Sequence, residues 1–138
     1  MRSKANCIRK KGFTLVELVV VVLIIGIIAA VGAPRMFDTA GDARESSTRQ
    51  SLAVIRDAIE LYKAQNGSYP PAATLSTALK TFLKGPFPKV QAGANKNSTV
   101  VASTQAPSIT APETGTAGWA YNETTGEIVV NDPTYITW

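Results

Sequence analysis

Few residues in this chain are equipped for covalent chemistry. Histidine is absent, which removes imidazole acid–base catalysis, Ser-His-Asp and Cys-His arrangements and histidine metal sites. The one cysteine, Cys7, lies at the start, so no internal disulfide forms. Asp132, Glu123 and Glu127 are the only acids near one another in the C-terminal part. A hard cation wants several oxygen ligands, so these three stand as calcium candidates and no other cofactor is expected. An enzyme is not expected from such a set. The acid that demands an explanation is Glu17. It sits in Lys10-Lys11-Gly12-Phe13-Thr14-Leu15-Val16-Glu17, at the head of a run that otherwise leaves water.

That run, FTLVELVVVVLIIGIIAAVGA from Phe13 to Ala33, has one charge. At about 1.5 Å per residue it is long enough to cross a ~30 Å hydrocarbon core. The net charge of +4 is unevenly spread: Arg2, Lys4, Arg9, Lys10 and Lys11 precede the run, leaving nine basic and ten acidic groups from Phe13 onward. The high isoelectric point is therefore a property of the leader, and no basic stripe for nucleic acid remains. The basic flank should stay cytoplasmic, with the C-terminal part across the membrane.

Three readings of the N-terminal segment compete. A cleavable secretory signal explains the basic start and the small residues Val31-Gly32-Ala33. A plain anchor explains the length, but leaves Glu17 as an accident costing up to about 2.5–3.5 kcal/mol if deeply placed. The third reading gives Glu17 a use. Cutting between Gly12 and Phe13 creates an α-amino group four residues before Glu17. An amine at a helix N-terminus opposes the macrodipole, whereas a carboxylate there is favoured. Glu17 of one copy accepting the amine of an axially shifted neighbour would penalise wrong stagger in an apolar bundle.

Lys11-Gly12 followed by Phe13-Thr14-Leu15-Val16-Glu17 resembles the processing signal of type IV pilins and type II secretion pseudopilins. The resemblance covers residues 1 to about 70, with an echo in the C-terminal GWAY…TTGEI wording. It implies a prepilin peptidase that cuts after Gly12 and N-methylates Phe13, with Glu17 setting assembly register. It also implies an inner-membrane assembly platform and a homo-oligomeric or mixed filament of pilin-like subunits whose inner helices first sit in lipid. Type IV pilins commonly close a C-terminal loop with a disulfide. This chain cannot, which moves the resemblance toward pseudopilins. The acid-rich calcium loop of major pseudopilins has no dense counterpart here.

The positioning elements follow from periodicity. Gly26, Gly32 and Pro34 weaken the apolar helix, since glycine costs ~1 and proline ~3 kcal/mol inside a helix; they form its expected soft point, with Gly41 a second. Leu52, Ile55, Ile59 and Tyr62 then recur at helical spacing. Glu45–Arg49 and Arg56–Glu60 fall at i,i+4 and read as solvated helix surface. Asn66-Gly67 should stop a helix nearly continuous from Phe13. Leu75 to Leu83 predicts a short helix capped by Thr74 or Ser76. Residues 89–117 read as a long loop with one strand near Thr99–Ala102, and residues 118–131 as a β-hairpin whose Trp119, Tyr121, Ile128 and Val130 pack on the long helix.

The expected fold is α+β and pilin-like: a long N-terminal helix, its apolar half in the membrane and its outer half packed on a small antiparallel sheet. The expected organisation is a leader at 1–12, a membrane or filament-core helix at 13–34 and a soluble domain at 35–138. The expected function is a structural filament subunit, a pseudopilin of type II secretion that helps export folded proteins. A type IV pilin of a surface fibre and a membrane-anchored binding module that does not polymerise are the alternatives.

Overall fold

A computed structural model describes residues 12–138, and residues 33–38 as helical backbone only. The leader residues before Gly12 lie outside the described residues. Chain contacts divide the protein into two units between Thr39 and Ala40. Helix α1, Leu15–Asn66, continues through Gly26, Gly32, Pro34 and Gly41 without a break in assignment. It ends as the sequence demands: Gly67 adopts φ +75° and its N–H donates to the Lys63 carbonyl at 2.8 Å, a left-handed stop that a side chain would strain.

In the second unit, one face of α1 buries Leu52, Ile55, Ala58 and Ile59. These spacings of three and four build the stripe that receives the rest of the domain. Two 3₁₀ turns, Ala72–Thr74 and Leu79–Thr81, flank a single α-turn, α2 (Leu75–Ala78). Neither Thr74 nor Ser76 caps it. Thr74 holds the N-cap position with no side-chain hydrogen bond, and α2 is seated by its buried Leu75, followed at once by buried Leu79.

Three short strands form one sheet in the order β1 (Val100–Ala102), β2 (Trp119–Tyr121), β3 (Ile128–Val130). The hairpin is present, with Trp119 opposite Val130 and Tyr121 opposite Ile128. The α+β pilin-like architecture holds, but the sheet is mixed: β1 lies parallel to β2, Val100 opposite Trp119. The reason is topological. A parallel neighbour requires a crossover, and residues 103–118 supply it without a helix.

Alternation then sorts the side chains. Trp119, Tyr121, Ile128 and Val130 join Leu52, Ile55 and Ile59 of α1 in the main core. Ala120 and Val129 point the other way and are covered by Ile109 and Ile136. The sheet is therefore buried on both faces, its second cover coming from the long loop and the C-terminal segment. Polar tips of the core aromatics are satisfied by backbone: Trp119 Nε1 donates to the Pro88 carbonyl at 2.9 Å and Tyr121 Oη to that of Pro70 at 3.0 Å. Burial drives the Tyr121 phenol well above its ordinary pKa.

The loop from 89 to 117 is held by side-chain hydrogen bonds to backbone. Thr48, fully buried on α1, donates to the Arg44 carbonyl at 2.8 Å while its Oγ1 accepts the Gln91 and Ala92 N–H groups, each at 3.0 Å. Asn97 accepts from Thr99 and Gly118 and donates to the Thr116 carbonyl. Gln105 accepts from Thr110 and Ala111, and Asn131 bridges Glu113 and Ala117. Among the described residues no buried side-chain polar atom lacks a partner. Gly118 must be glycine, because a β-carbon there would strike the Asn95 and Asn97 carbonyls.

The helix charges do more than face solvent. Arg56 donates through Nη2 to the Ile128 and Trp138 carbonyls, at 3.1 and 2.6 Å, and so ties α1 to β3 and to the C-terminal segment. Burial lowers its pKa, offset in part by Glu127. Arg49 lies 3.9 Å over the Trp138 ring, and Glu45 accepts the Tyr135 hydroxyl at 3.1 Å.

Candidate functional site

The expected site residues Gly12, Phe13 and Glu17 gather at the N-terminal end of α1. Gly12 and Phe13 precede the helix, and Phe13 is 84% exposed. Among the described residues, and apart from Gly12 and its chain neighbours, no heavy atom lies within 4 Å of where a Gly12 β-carbon would stand, and Gly12 and Phe13 are both exposed.

Thr14, which sequence reading passed over, organises this end. Its hydroxyl oxygen accepts the Glu17 N–H at 3.2 Å, while Glu17 Oε2 accepts the Thr14 N–H at 3.0 Å and the Thr14 hydroxyl proton at 2.9 Å. This is a reciprocal capping box, Thr at N-cap and Glu at the third helical position, satisfying two donors that the first turn leaves open. The T-x-x-E spacing is the signal that would have found it. Glu17 is thereby supplied with hydrogen bonds by its own chain, and its negative charge meets the positive end of the helix dipole.

Leu15–Gly32 of α1 forms an 18-residue stretch long and apolar enough to cross a membrane, and none of it is buried. Its length of about 27 Å approaches a hydrocarbon core. Leu18, Leu23, Ile25 and Ile28 are all more than half exposed, so no side of this stretch is covered by the described residues. Gly26 and Gly32 have open space where side chains would be.

The calcium candidates are not brought together. Glu123 Oε2 accepts the Ala72 N–H at 2.9 Å, Glu127 Oε2 the Ile109 N–H at 2.7 Å, and Asp132 Oδ2 the Ala94 N–H at 2.9 Å. Each carboxylate pins a different loop. Burial alone would raise the Asp132 pKa, but N–H donation from Ala94 and Thr134 and the Thr134 hydroxyl outweigh it and hold the group below its ordinary value. Among the described residues no group of three or more acids or cysteines is placed to hold a metal.

Comparison with known proteins points to the same end of the chain. Residues 7–33 match the family model described as the prokaryotic N-terminal methylation motif. The chain is 29% identical over 89 residues to the type II secretion system core protein G of Escherichia coli K12, covering 64% of this chain and 59% of that protein. It is 33% identical over 82 residues to the core protein G of Pseudomonas aeruginosa, covering 59% and 58%. It is 37% identical over 62 residues to the type IV narrow pilus major component PilA5 of Thermus thermophilus, covering 45% and 53%. The chain thus spans rather more than half the length of these relatives. No solved structure matches it. Its methylation motif, its long apolar helix with a small sheet, and these relatives make the chain similar to the type IV pilins and type II secretion pseudopilins.

Proposed function

We propose that this chain is a structural subunit of a pilus-like filament, of the pseudopilin kind that serves type II protein secretion. The observation that carries the reading is the coincidence, at one helix end, of exposed Gly12 and Phe13, a capped Glu17 and an uncovered apolar span. The methylation motif lies over the same residues, and the core protein G relatives favour the secretion setting. A type IV pilus subunit is the second reading, favoured by the 37% identity to the Thermus pilus component.

On this reading the chain inserts with its basic leader cytoplasmic and its outer domain across the inner membrane. A prepilin peptidase cuts after Gly12 and methylates Phe13, and an assembly platform draws subunits into a filament alone or with other pilin-like chains. In lipid, Glu17 is quieted by Thr14. In the filament, the methylated amine of a neighbour competes for the same carboxylate, adding charge to a bond that is otherwise local. Gly26, Gly32 and Pro34 supply the soft point at which the helix bends into the assembly. No cofactor is required, and the three calcium candidates act as loop staples.

Intact mass and N-terminal sequencing of the protein from cells test this. A start at N-methylated Phe13 is expected. A start after Ala33 or an intact Met1 overturns it. Gly12→Leu should leave the precursor uncut. Glu17→Ala should insert normally yet give at least tenfold fewer filaments by electron microscopy, the order expected for losing a close charge pair.

A further inference from the structure

Charge in the outer domain is segregated. From Leu61 to Pro112 the chain holds five lysines and no acid, and from Glu113 to Trp138 four acids and no base. Three of those acids are engaged as loop staples and the fourth, Glu113, accepts from Ser103 and Gln105. The lysines are not matched by them. Lys80, Lys84, Lys89 and Lys96 are exposed, and among the described residues none has a hydrogen-bond or ion-pair partner.

Lys96 shares a cleft of about 130 Å³ with Arg44, floored by Gln91, Ala92 and Gly93. The one acid there, Glu45, already accepts the Tyr135 hydroxyl. Two unpaired cations beside one occupied carboxylate make a seat for a further carboxylate. The Thr48 bonds to Gln91 and Ala92 hold the cleft wall to α1, so the seat is preorganised.

A complementary group stands elsewhere on the same helix. Asp57 is exposed and unpartnered among the described residues. Val54 and Leu61, three residues before and four after it, are 45% and 52% exposed. At those spacings all three share one face, an apolar patch centred on a carboxylate. Asp57 lies thirteen residues beyond Arg44, about 20 Å along the axis and turned well away around it. Within one copy the two cannot meet.

We infer that the Arg44–Lys96 cleft of one copy receives Asp57 of a second copy, with Val54 and Leu61 covered by the same contact. Because the two patches differ, the contact is heterologous, and with a rotation that does not close into a ring it propagates an open helical assembly rather than a two-fold dimer. The inference rests on the filament reading and adds the surfaces that set its geometry outside the apolar core.

The test uses the full chain in cells that assemble it. Filaments made from mixed ¹⁴N- and ¹⁵N-labelled copies are treated with a zero-length carbodiimide, and Asp57–Lys96 crosslinks between differently labelled chains are expected by mass spectrometry. Asp57→Lys, and separately the pair Arg44→Glu with Lys96→Glu, should each cut filament yield about tenfold or more. Joining all three changes should restore most of it. All are surface positions, and unchanged melting curves exclude misfolding; should any variant melt early, Asp57→Asn and Lys96→Gln repeat the comparison with smaller charge changes. Wild-type filaments with no such crosslink, or variants that assemble normally, overturn this contact and leave the filament reading standing. Absence of wild-type filaments instead overturns the filament reading itself. Variants that assemble normally but lose binding to phosphatidylglycerol vesicles assign the cations to lipid, and also overturn the contact.

Discussion

Residues Leu15–Gly32 and Ala40–Trp138 meet the same requirement in opposite ways. The second region buries its own apolar stripe: Leu52, Ile55 and Ile59 are at most 1% exposed, covered by Trp119, Tyr121 and Val130. The first has a still more apolar composition and covers none of it. One region covers its own apolar stripe. The other leaves its apolar surface uncovered among the described residues, and on the proposed filament reading lipid or copies of itself cover it. The single acid of the apolar stretch follows the same division, since Glu17 is held locally by Thr14, whereas the outer domain's acids reach across tens of residues to pin loops.

If that division is correct, damage should stay on its own side of Thr39. The largest effect is expected from Trp119→Ala, which opens the main core and should cost about 3–5 kcal/mol. The outer domain should become protease-sensitive while carbonate extraction still finds the chain in membranes; loss of insertion would break the comparison. Thr48→Val comes next. It leaves the Gln91 and Ala92 N–H groups without their acceptor, at about 1–3 kcal/mol, read as a lower urea midpoint with faster amide exchange at both positions.

Thr14→Ala removes the N-cap and should cost about 1 kcal/mol of helix stability, seen as faster exchange of the first-turn amides in bilayers, with outer-domain melting unchanged. Glu17→Gln sharpens this further. It keeps a side chain able to close the capping box but removes the charge, so normal first-turn exchange with poor assembly would assign assembly to charge alone.

The smallest effect concerns pH. Hydrogen bonds from Ser103 and Gln105 hold the Glu113 carboxyl below its ordinary pKa. A depressed folded-state pKa contributes stability above the ordinary carboxylate range, and that contribution disappears as pH falls through the lower, folded value. Glu113→Gln should therefore lower stability near neutral pH and converge with the wild type as pH falls, flattening part of the acid limb, as followed by urea midpoints between pH 7 and 3.

The sequence made much of this legible because the strongest signals are local. The apolar run, the Asn66-Gly67 stop and the GWAY hairpin are each written in one continuous stretch of sequence. What could not be read depends on pairings distant in sequence. Nothing in Val100 says that it will lie parallel to Trp119. Nothing in Thr48 says that its hydroxyl will take two amides from a loop over forty residues away. Charges misled for the same reason: Arg56 and Glu60 fit an i,i+4 pair, yet Arg56 spends its donors on carbonyls of β3 and the C-terminal segment. Thr14 is a local signal of the same kind, since its T-x-x-E spacing to Glu17 is the signature of the capping box.

The long loop that closes the outer domain is secured by amide and hydroxyl side chains, and the only sulfhydryl, Cys7, lies ahead of the Gly12–Phe13 bond. Such a fastening needs no oxidant to form and ignores reductants once formed. The fold of residues 40–138 therefore has no bond that the redox state of its compartment could make or break.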